Sequence, residues 1–516
     1  MVDTVTRHRL ARTPQSAQAL FDVGVGAFRR GDESARAWLS RAVQAAPDEP
    51  ALHFALAAGT PDAAAARRSL RCALVLDPGY ALAWLELGWA KGKSAAALCR
   101  AYGIDGSDPN IATTVSAALL ENGEVAAARF ITAHLCRQHP QLAAAWINRG
   151  RVAVEDGDWA AGLIFAHRAV ALTPETFEAW MNIGSIAGEL MMGETAVRAS
   201  ERAVVLRPDS SQARWNRCLI LLSEGDWKRG FADFEVRHEV QVTYPHRLTG
   251  RRWQGERLAG RLLIHDEIGY GDVFNFLRYI ALAKDRVGSI GLEVKPGLGR
   301  LLGNFGGIER VLERSASPPP PDGYEAHVAL ESLPRLFGTT QATIPPPGVP
   351  LRPAEPLIQR WSDRLSLTAR PRIGLCWAGN PKSAFDRQRS CRLGELASVL
   401  ELDNVSFVSL QKGPAAAKGH PRLLDLDAEL MDFADTAAVI ANLDLVISVE
   451  TSVAHLAGAM QVPLWVLLSQ NPAWRWPRSG DSTKWYPSAK LIRLERQQRW
   501  LDLARAVAGA LRDRFG

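Results

Sequence analysis

A spacing of 34 residues that recurs along the N-terminal half is the feature that most constrains how this chain can fold. Pro140, Pro174 and Pro208 lie 34 residues apart, and each follows an alanine-rich amphipathic segment. Asparagine and tryptophan recur in the same register, at Asn148, Asn182 and Asn216 and at Trp146 and Trp180. Self-similarity at a fixed period indicates stacked helical hairpins, in which each unit buries its apolar face against the next.

Degenerate copies extend the repeat towards the N-terminus, where prolines recur every 31 residues at Pro47, Pro78, Pro109 and Pro140. Thirty-four residues is the tetratricopeptide (TPR) period. We expect about six helical hairpins and a final half-repeat, SEGDWKRGFADFEVRHE, in an α-solenoid over residues 1–245. Its concave face is predicted to bind a protein, and the alternatives are a spacer or a homodimerisation arm.

Composition excludes several other classes of protein. The chain has 516 residues, 47% apolar and 22% charged, which predicts a folded protein of about three domains. A net charge of +6 is too small to indicate a nucleic-acid-binding protein. The six cysteines form no CxxC pair, so neither a disulfide framework nor a metal site is predicted.

The sequence also predicts a cytoplasmic protein without a membrane span. The first 15 residues, MVDTVTRHRLARTPQ, lack the apolar stretch of a secretion signal. The most apolar later stretch, residues 445–468, is interrupted by Glu450, His455 and Gln461.

After residue 246 the repeat ends, and short β-branched runs alternate with helical segments. This pattern is typical of parallel sheets covered by helices, and it predicts two Rossmann-like halves, residues 246–355 and 356–516. The predicted fold class is therefore α plus α/β. Ligands of such sheets bind at the C-terminal ends of the strands.

The segment DLVISVETSVAHLAGA places polar side chains at one such strand end. The strand ends at Glu450, and a helix that carries His455 begins at once with Thr451 and Ser452. Helix N-termini bind phosphate, and a carboxylate beside one can accept hydrogen bonds from a sugar. The alternative is that a hydroxyl only caps the helix and that His455 is a satisfied helix residue.

Two further loops follow predicted strands. WAGNPKSAFDRQRS carries Asn380 and Arg389, and SLQKG carries Gln411 and Lys412. Converging cations and amides would suit a diphosphate, whereas the alternative is a pair of solvated surface loops.

In the first half, the strand RLLIHDE leads through IGYGD into a helix. Asp272 at this helix start is a candidate general base, and a simple N-cap is the alternative.

Residues 220–516 resemble the glycosyltransferase module of bacterial TPR-fused proteins. The motifs that carry the resemblance are GDWKRGFADFEVR, HDEIGYGDVFNFLRYI, GLCWAGNPKSAFDRQRS, FVSLQKG, DFADTAAVIANLDLVISVETSVAHLAGA and PAWRWPRSGDSTKWYPSAKLIR. The module is similar to the heptosyltransferase family, and the domain plan resembles that of the O-linked N-acetylglucosamine transferases. The resemblance implies a GT-B fold and an inverting transfer that needs neither cofactor nor metal.

The resemblance also implies roles for single residues. Asp272 matches the family's catalytic base, Lys412 a lysine beside the donor diphosphate, and Thr451, Ser452 and His455 the donor site. Glu450 stands where the family has Asp, and Ile268 where Gln is common. Because of these two departures, a catalytically inactive scaffold is an alternative function.

Aromatic residues near the C-terminus also match the family. Trp474, Trp476 and Trp485 are candidates for stacking on a sugar or a base, and packing between domains is the alternative.

The sequence thus predicts a glycosyltransferase that moves a sugar from a nucleotide-sugar donor onto Ser or Thr of a protein held by the TPR repeats. Several bacterial proteins of this plan modify flagellin, which the resemblance makes a candidate acceptor. The alternatives are an inactive TPR scaffold and a transferase that acts on a glycan or a lipid.

Overall fold

The computed structural model describes residues 16–89, 94–240, 248–314, 323–382, 386–416, 419–495 and 498–516. The chain forms two compact units, Met1–Leu190 and Met191–Gly516. Residues 1–15, on which the predicted absence of a secretion signal rests, lie outside the described ranges. The domain boundaries predicted at residues 245 and 355 stay predictions.

The described part of the first unit consists of helices that pack in consecutive pairs, α1 with α2, α3 with α4, and so on to α9 with α10. The helices are α1 (Ala17–Arg29), α2 (Ala35–Ala45), α3 (Pro50–Ala58), α4 (Ala63–Leu76), α5 (Ala81–Trp89), α6 (Ala95–Asp105), α7 (Pro109–Glu121), α8 (Val125–Gln138), α9 (Ala143–Glu155), α10 (Trp159–Leu172) and α11 (Phe177–Glu189).

Small residues bring paired helices of this unit close together. A Cβ on Gly24 of α1 would lie 2.7 Å from the Leu39 side chain of α2, and a Cβ on Gly88 of α5 would lie 2.7 Å from Leu98 of α6. Each leucine therefore fills the space that its glycine leaves. This packing confirms the helical hairpins that the repeat predicts.

A recurring hydrogen bond explains why tryptophan follows proline by six residues. The indole N–H of Trp84 donates to the carbonyl of Pro78 at 2.9 Å. Trp146 donates to Pro140 at 2.9 Å, and Trp180 donates to Pro174 at 2.8 Å. Each bond ties a helix to the turn that precedes it.

The second unit begins with three helices, α12 (Gly193–Leu206), α13 (Ser211–Glu224) and α14 (Trp227–Asp233), and the 3-10 helix Phe234–His238. Gly225 has a φ of 87° where α13 ends, which favours glycine, and the Asp226 side chain caps α14. Over the described residues 16–240 the N-terminal part is a TPR-like helical repeat region of fourteen α-helices.

The first sheet holds four parallel strands in the order β3-β2-β1-β4. Its strands are β1 (Leu258–His265), β2 (Val287–Val294), β3 (Arg310–Glu313) and β4 (Ala326–Ala329). Four α-helices lie between or after them: α15 (Tyr270–Phe276), α16 (Tyr279–Lys284), α17 (Gly299–Leu302) and α18 (Leu333–Leu336). A short 3-10 turn, Leu330–Ser332, precedes α18.

The second sheet holds six parallel strands in the order β10-β9-β8-β5-β6-β7. Its strands are β5 (Arg372–Cys376), β6 (Ser406–Ser409), β7 (Leu423–Leu424), β8 (Leu445–Val449), β9 (Leu464–Leu468) and β10 (Ala489–Arg493). The α-helices are α19 (Glu355–Arg364), α20 (Asp386–Arg389), α21 (Ala397–Leu400), α22 (Phe433–Ile440), α23 (Ser452–Ala459) and α24 (Trp500–Phe515), with 3-10 turns at Leu393–Leu396 and Gly413–Ala415.

The strand order of the second sheet reverses between β5 and β8. The strands β6 and β7 extend the sheet on one side of β5, and the later strands β8, β9 and β10 extend it on the other side. In open parallel sheets, ligands bind at such a switch point, outside the carboxyl ends of the strands. The topology therefore predicts that a ligand of this sheet would bind among the residues that follow β5 and β8.

One apolar core joins the two sheets inside the second unit. It takes Leu262 and Ile264 from β1, Val446 from β8 and Val466 from β9, together with residues of α13 and α14. The opposite face of the second sheet packs against α24. Among the described residues, none of the helices combines the length and apolar character that a membrane crossing requires.

The two sheets meet where α15 packs against α23. A Cβ on Gly271 would lie 2.7 Å from Cδ2 of His455, and a Cβ on Gly458 would lie 2.4 Å from the Tyr486 ring. The backbone of each helix thus approaches an aromatic ring as closely as glycine permits.

We expect Gly271→Ala to destabilise the second unit by about 1–3 kcal/mol, because the added methyl group overlaps a His455 ring that its neighbours hold. Urea unfolding followed by circular dichroism measures the change. Gly509→Ala in α24 is the matched control, since a Cβ there meets nothing within 4 Å. The control should stabilise the helix by about 0.5–1 kcal/mol, and equal stability of the two variants would contradict the tight contact.

Candidate functional site

The candidate site lies where the carboxyl end of β1 faces those of β5 and β8. Asp272 belongs to α15, which follows β1, while Thr451 and His455 belong to the start of α23, which follows β8. The Cys376 sulfur at the end of β5 lies 3.6 Å from the Thr451 hydroxyl. The fold therefore brings these sequence-predicted residues from both halves to one place.

The predicted base, Asp272, pairs with Arg475 from the segment between β9 and β10. Its other oxygen, Oδ2, accepts the Gly269 backbone N–H at 3.1 Å. The Asp272 side chain is 10% exposed and that of Arg475 is 17% exposed. Asp272 thus both supports the start of its helix and carries an ion pair that joins the two halves.

His455 takes part in a buried chain of hydrogen bonds. The Tyr486 hydroxyl donates to Oδ1 of Asn275 at 2.9 Å and lies 2.9 Å from Nδ1 of His455. Burial lowers the pKa of His455 to about 3, and Arg475 adds to this effect, so the ring is neutral at physiological pH.

Glu450 follows β8 and is almost wholly buried. Its Oε2 accepts the Ala473 backbone N–H at 3.0 Å. Burial raises the pKa of Glu450 to about 7, while this hydrogen bond and the guanidiniums of Arg389, Arg475 and Arg493 oppose the rise. Of these cations, the first two act most strongly on the carboxyl end of β8.

The helix α23 begins without a side-chain cap. Thr451 occupies the N-cap position, but its hydroxyl lies 2.8 Å from the Ser448 hydroxyl and makes no capping bond. Ser452, the first helical residue, is partly exposed. A helix start without a side-chain cap, beside two guanidiniums, has the features of an anion site.

Arg389 lies over the loop that follows β5. A Cβ on Gly379 would come within 2.4 Å of an Asp386 carboxylate oxygen and 2.8 Å of a terminal guanidinium nitrogen of Arg389, so both side chains approach the backbone of this loop closely. Asp386 lies 3.5 Å from Nε of Arg389. Asn380 is exposed, and its Oδ1 accepts the backbone N–H of Lys382 at 3.1 Å.

Gln411 and Lys412 lie at the end of β6 and have different environments. Gln411 is buried, and its Oε1 accepts the backbone N–H groups of Trp377 and Ala378 at 3.1 and 2.9 Å. It therefore holds the loop after β5 in place. The Lys412 ammonium lies 3.2 Å from an oxygen of Asp427, and about half of its side chain is exposed.

The predicted stacking residues are all buried. Trp485 stacks on Trp227 with ring centroids 5.3 Å apart, and Trp474 packs edge-on against both rings. Trp476 stacks on His455 with centroids 5.1 Å apart. A role in stacking on a sugar stays a prediction, and in this structure the rings join α14 to the candidate site.

A polar cavity of about 60 Å³ opens at a second switch point, where β1 and β4 end in the first sheet. Arg237 and Glu267 form a buried ion pair in its wall, with Nε and Oε2 2.9 Å apart. His265 and His327 lie 3.3 Å apart beside it. Among the described residues, no group of three His, Cys, Asp or Glu is placed to hold a metal ion.

Sequence reasoning missed the side chains that connect the two halves. Tyr486 belongs to the aromatic segment that the sequence proposes for stacking on a sugar or a base, but the sequence predicts no polar role for Arg475, Asn275 or Tyr486. Arg475 and Asp272 are 203 residues apart, so no local spacing relates them. The sequence feature that could have indicated a role for Arg475 is its position between two tryptophans near the C-terminus.

No family model matches this chain. Protein FlbA of Caulobacter vibrioides is 30% identical to this chain over an alignment 332 residues long, which covers 58% of this chain and 54% of FlbA. The chain therefore spans about half the length of this relative.

Solved structures are similar to part of the chain at lower identity. Cut9–Hcn1 from an APC/C hetero-tetramer shares 15% identity over 43% of this chain and 45% of its own, with a TM-score of 0.36. Yeast Tom70 shares 12% sequence identity over 45% of this chain and 53% of its own length, with a TM-score of 0.36. PilW, a type IV pilus biogenesis factor, shares 15% sequence identity over 38% of this chain and 96% of its own length, with a TM-score of 0.34.

We expect Glu450→Gln to remove a loss of stability that the protein otherwise shows as pH rises from about 4.5 to 7. Over this range the folded carboxyl keeps a proton that the unfolded chain releases, so the folded state binds more protons and loses stability with rising pH. The variant should gain on the wild type by up to about 3 kcal/mol, with the full gain present above pH 7.

Urea unfolding at pH 4.5, 6 and 8 measures this gain. Glu429→Gln is the control, because its hydrogen bond to Arg364 lowers the pKa of Glu429 and gives the opposite slope. A difference between wild type and Glu450→Gln that is constant with pH would contradict a buried, protonated Glu450.

Proposed function

We propose that this protein is a glycosyltransferase that moves a sugar from a nucleoside-diphosphate donor to a hydroxyl of a protein acceptor. The observation that carries the proposal is the opposition, across two parallel sheets, of a carboxylate on α15 and an anion site at the switch point of the second sheet. Asp272 stands on one side, and Arg389 and the uncapped start of α23 stand on the other. The sequence resemblance to TPR-fused glycosyltransferases supports the same assignment.

In this proposal the two sheets are the halves of a GT-B fold, with the donor on the second sheet. The bond between the anomeric carbon and the diphosphate breaks, and its electron pair leaves with the diphosphate. The acceptor oxygen bonds to the anomeric carbon from the opposite face, and its proton passes to Asp272. Arg389, Lys412 and the start of α23 balance the charge of the leaving group, and the proposal includes no metal.

Asp272 is the proton acceptor of this proposal because it belongs to the half that faces the donor site. The His455 ring is packed against Gly271 and Trp476, and its Nδ1 lies 2.9 Å from the Tyr486 hydroxyl. His455 instead orients Tyr486 and the wall of the site.

The helical repeats would supply the protein acceptor. TPR-like repeats present an extended surface that suits a peptide, and a bound acceptor has a raised concentration beside the transferase site. Flagellin Ser or Thr is the acceptor that the sequence resemblance suggests, in the cytoplasm. A scaffold without catalysis and transfer to a glycan or a lipid are the competing functions.

We expect Asp272→Asn to lower transfer by about 100-fold or more while the donor still binds, because Asn keeps the shape of the side chain but does not take up a proton. Incubation of the full chain with UDP-, GDP-, ADP- and CDP-sugars, followed by mass spectrometry of the acceptor, measures transfer. Donor hydrolysis measured in parallel reports on catalysis without an acceptor.

Asp285→Asn is the matched control, since Asp285 is an exposed carboxylate of the same half. It should transfer at the wild-type rate. Transfer by Asp272→Asn at that rate would show that Asp272 is not the base, and a wild type that neither binds nor hydrolyses any donor would favour the scaffold.

We expect residues 191–516 alone to bind and slowly hydrolyse the donor but to modify a protein acceptor poorly. The main apolar core of this segment takes all its residues from positions 218–491, so the segment should fold without the first unit. Circular dichroism checks folding, and acceptor mass spectrometry checks modification. Full modification by the segment would assign acceptor recognition to the transferase half.

A further inference from the structure

The carboxylate proposed as the base is already engaged in this structure. Oδ1 of Asp272 pairs with the Arg475 guanidinium, and Oδ2 accepts the Gly269 N–H at 3.1 Å. Both side chains are more than four-fifths buried. An acceptor hydroxyl could approach this carboxylate productively only after Arg475 had moved away.

Arg475 has a fixed backbone and a side chain that can turn. Its neighbours Trp474 and Trp476 are both buried and held by other rings. The guanidinium itself lies over the Trp474 ring, 4.5 Å from its centroid. A planar cation on an aromatic face can slide or rotate while the stem stays in place.

The charge of Arg475 also reaches the proposed donor site. Arg475 lies between Ala473, whose N–H donates to Glu450 at 3.0 Å, and Trp476, which stacks on His455 with ring centroids 5.1 Å apart, and Glu450 and His455 flank the start of α23. Arg475 is therefore close to two anion positions, the Asp272 carboxylate and the site at the switch point.

We propose that Arg475 changes partners during the reaction, from Asp272 in the free protein to the donor diphosphate in the loaded protein. This inference rests on the proposed function. A diphosphate offers a guanidinium more charge and more acceptor oxygens than one carboxylate does, so it competes successfully for Arg475. The base is then released only when the donor is in place, and donor binding precedes acceptor binding.

The exchange makes a prediction about binding that does not depend on catalysis. Asp272 and the diphosphate compete for one guanidinium, so removal of the carboxylate charge should strengthen diphosphate binding. We expect Asp272→Asn to bind the nucleoside diphosphate about 5- to 50-fold more tightly than the wild type, a normal range for coupling between two sites. Arg475→Gln should bind it at least about 10-fold more weakly.

The test is a double-mutant cycle measured by titration calorimetry. UDP, GDP, ADP and CDP are first titrated into the wild-type full chain, and the tightest binder is then used with every variant. In the Arg475→Gln background, Asp272→Asn should change affinity by less than about 2-fold, because the shared partner is gone.

Arg389→Gln is the matched control, since Arg389 is a second cation of the site that pairs with Asp386 instead of Asp272. This variant should weaken binding and still show the full gain from Asp272→Asn. Melting temperatures verify that every variant is folded.

The outcomes separate this inference from the proposed function. If no nucleotide binds the wild type, the glycosyltransferase proposal fails and the exchange fails with it. If a nucleotide binds but Asp272→Asn leaves its affinity unchanged, the exchange alone is wrong. A gain that persists in the Arg475→Gln background would also overturn it, because simple charge repulsion would then explain the effect.

Discussion

The close contact between α15 and α23 is the constraint on which the rest of the second unit depends. A Cβ on Gly271 would overlap the His455 ring, and a Cβ on Gly458 would overlap the Tyr486 ring. Because the backbones approach this closely, the two sheets share one apolar core. The same contact sets Asp272, which follows the first sheet, opposite Arg475, which follows a strand of the second. A larger residue at Gly271 would therefore press on His455 of the other half, whereas one at Gly458 would displace Tyr486 within the second half.

Burial at this contact decides the charge of each group in the site. His455 stays neutral because its ring is desolvated and lies near guanidiniums, and Glu450 keeps its proton up to about pH 7 because it is desolvated. Asp272 and Arg475 form an ion pair in a place with little water, where each compensates the other. In the proposed function, a diphosphate would add negative charge beside this pair.

The sequence predicted the helical repeats and the alternation of strands and helices that follows them because these depend on local spacing, but it did not predict the short strands β3 and β7. A tryptophan six residues after a proline makes the same hydrogen bond at Trp84, Trp146 and Trp180, so the pattern can be seen without the fold. Strand ends can be predicted in the same way, which is how Asp272 and Thr451 were found. The GT-B arrangement and the catalytic roles depend on more than this spacing, and they stay proposals.

The sequence by itself determined the helical repeats, the α/β character of the C-terminal part and the strand ends that carry the candidate residues, since each depends on residues that are neighbours along the chain. Only the tertiary structure decided which strand ends face each other. Gln411 proved to support a loop, and Trp485 to pack on Trp227. The partner of Asp272 came from 203 residues away, because strand order and helix packing, which have no local signature, bring distant segments together.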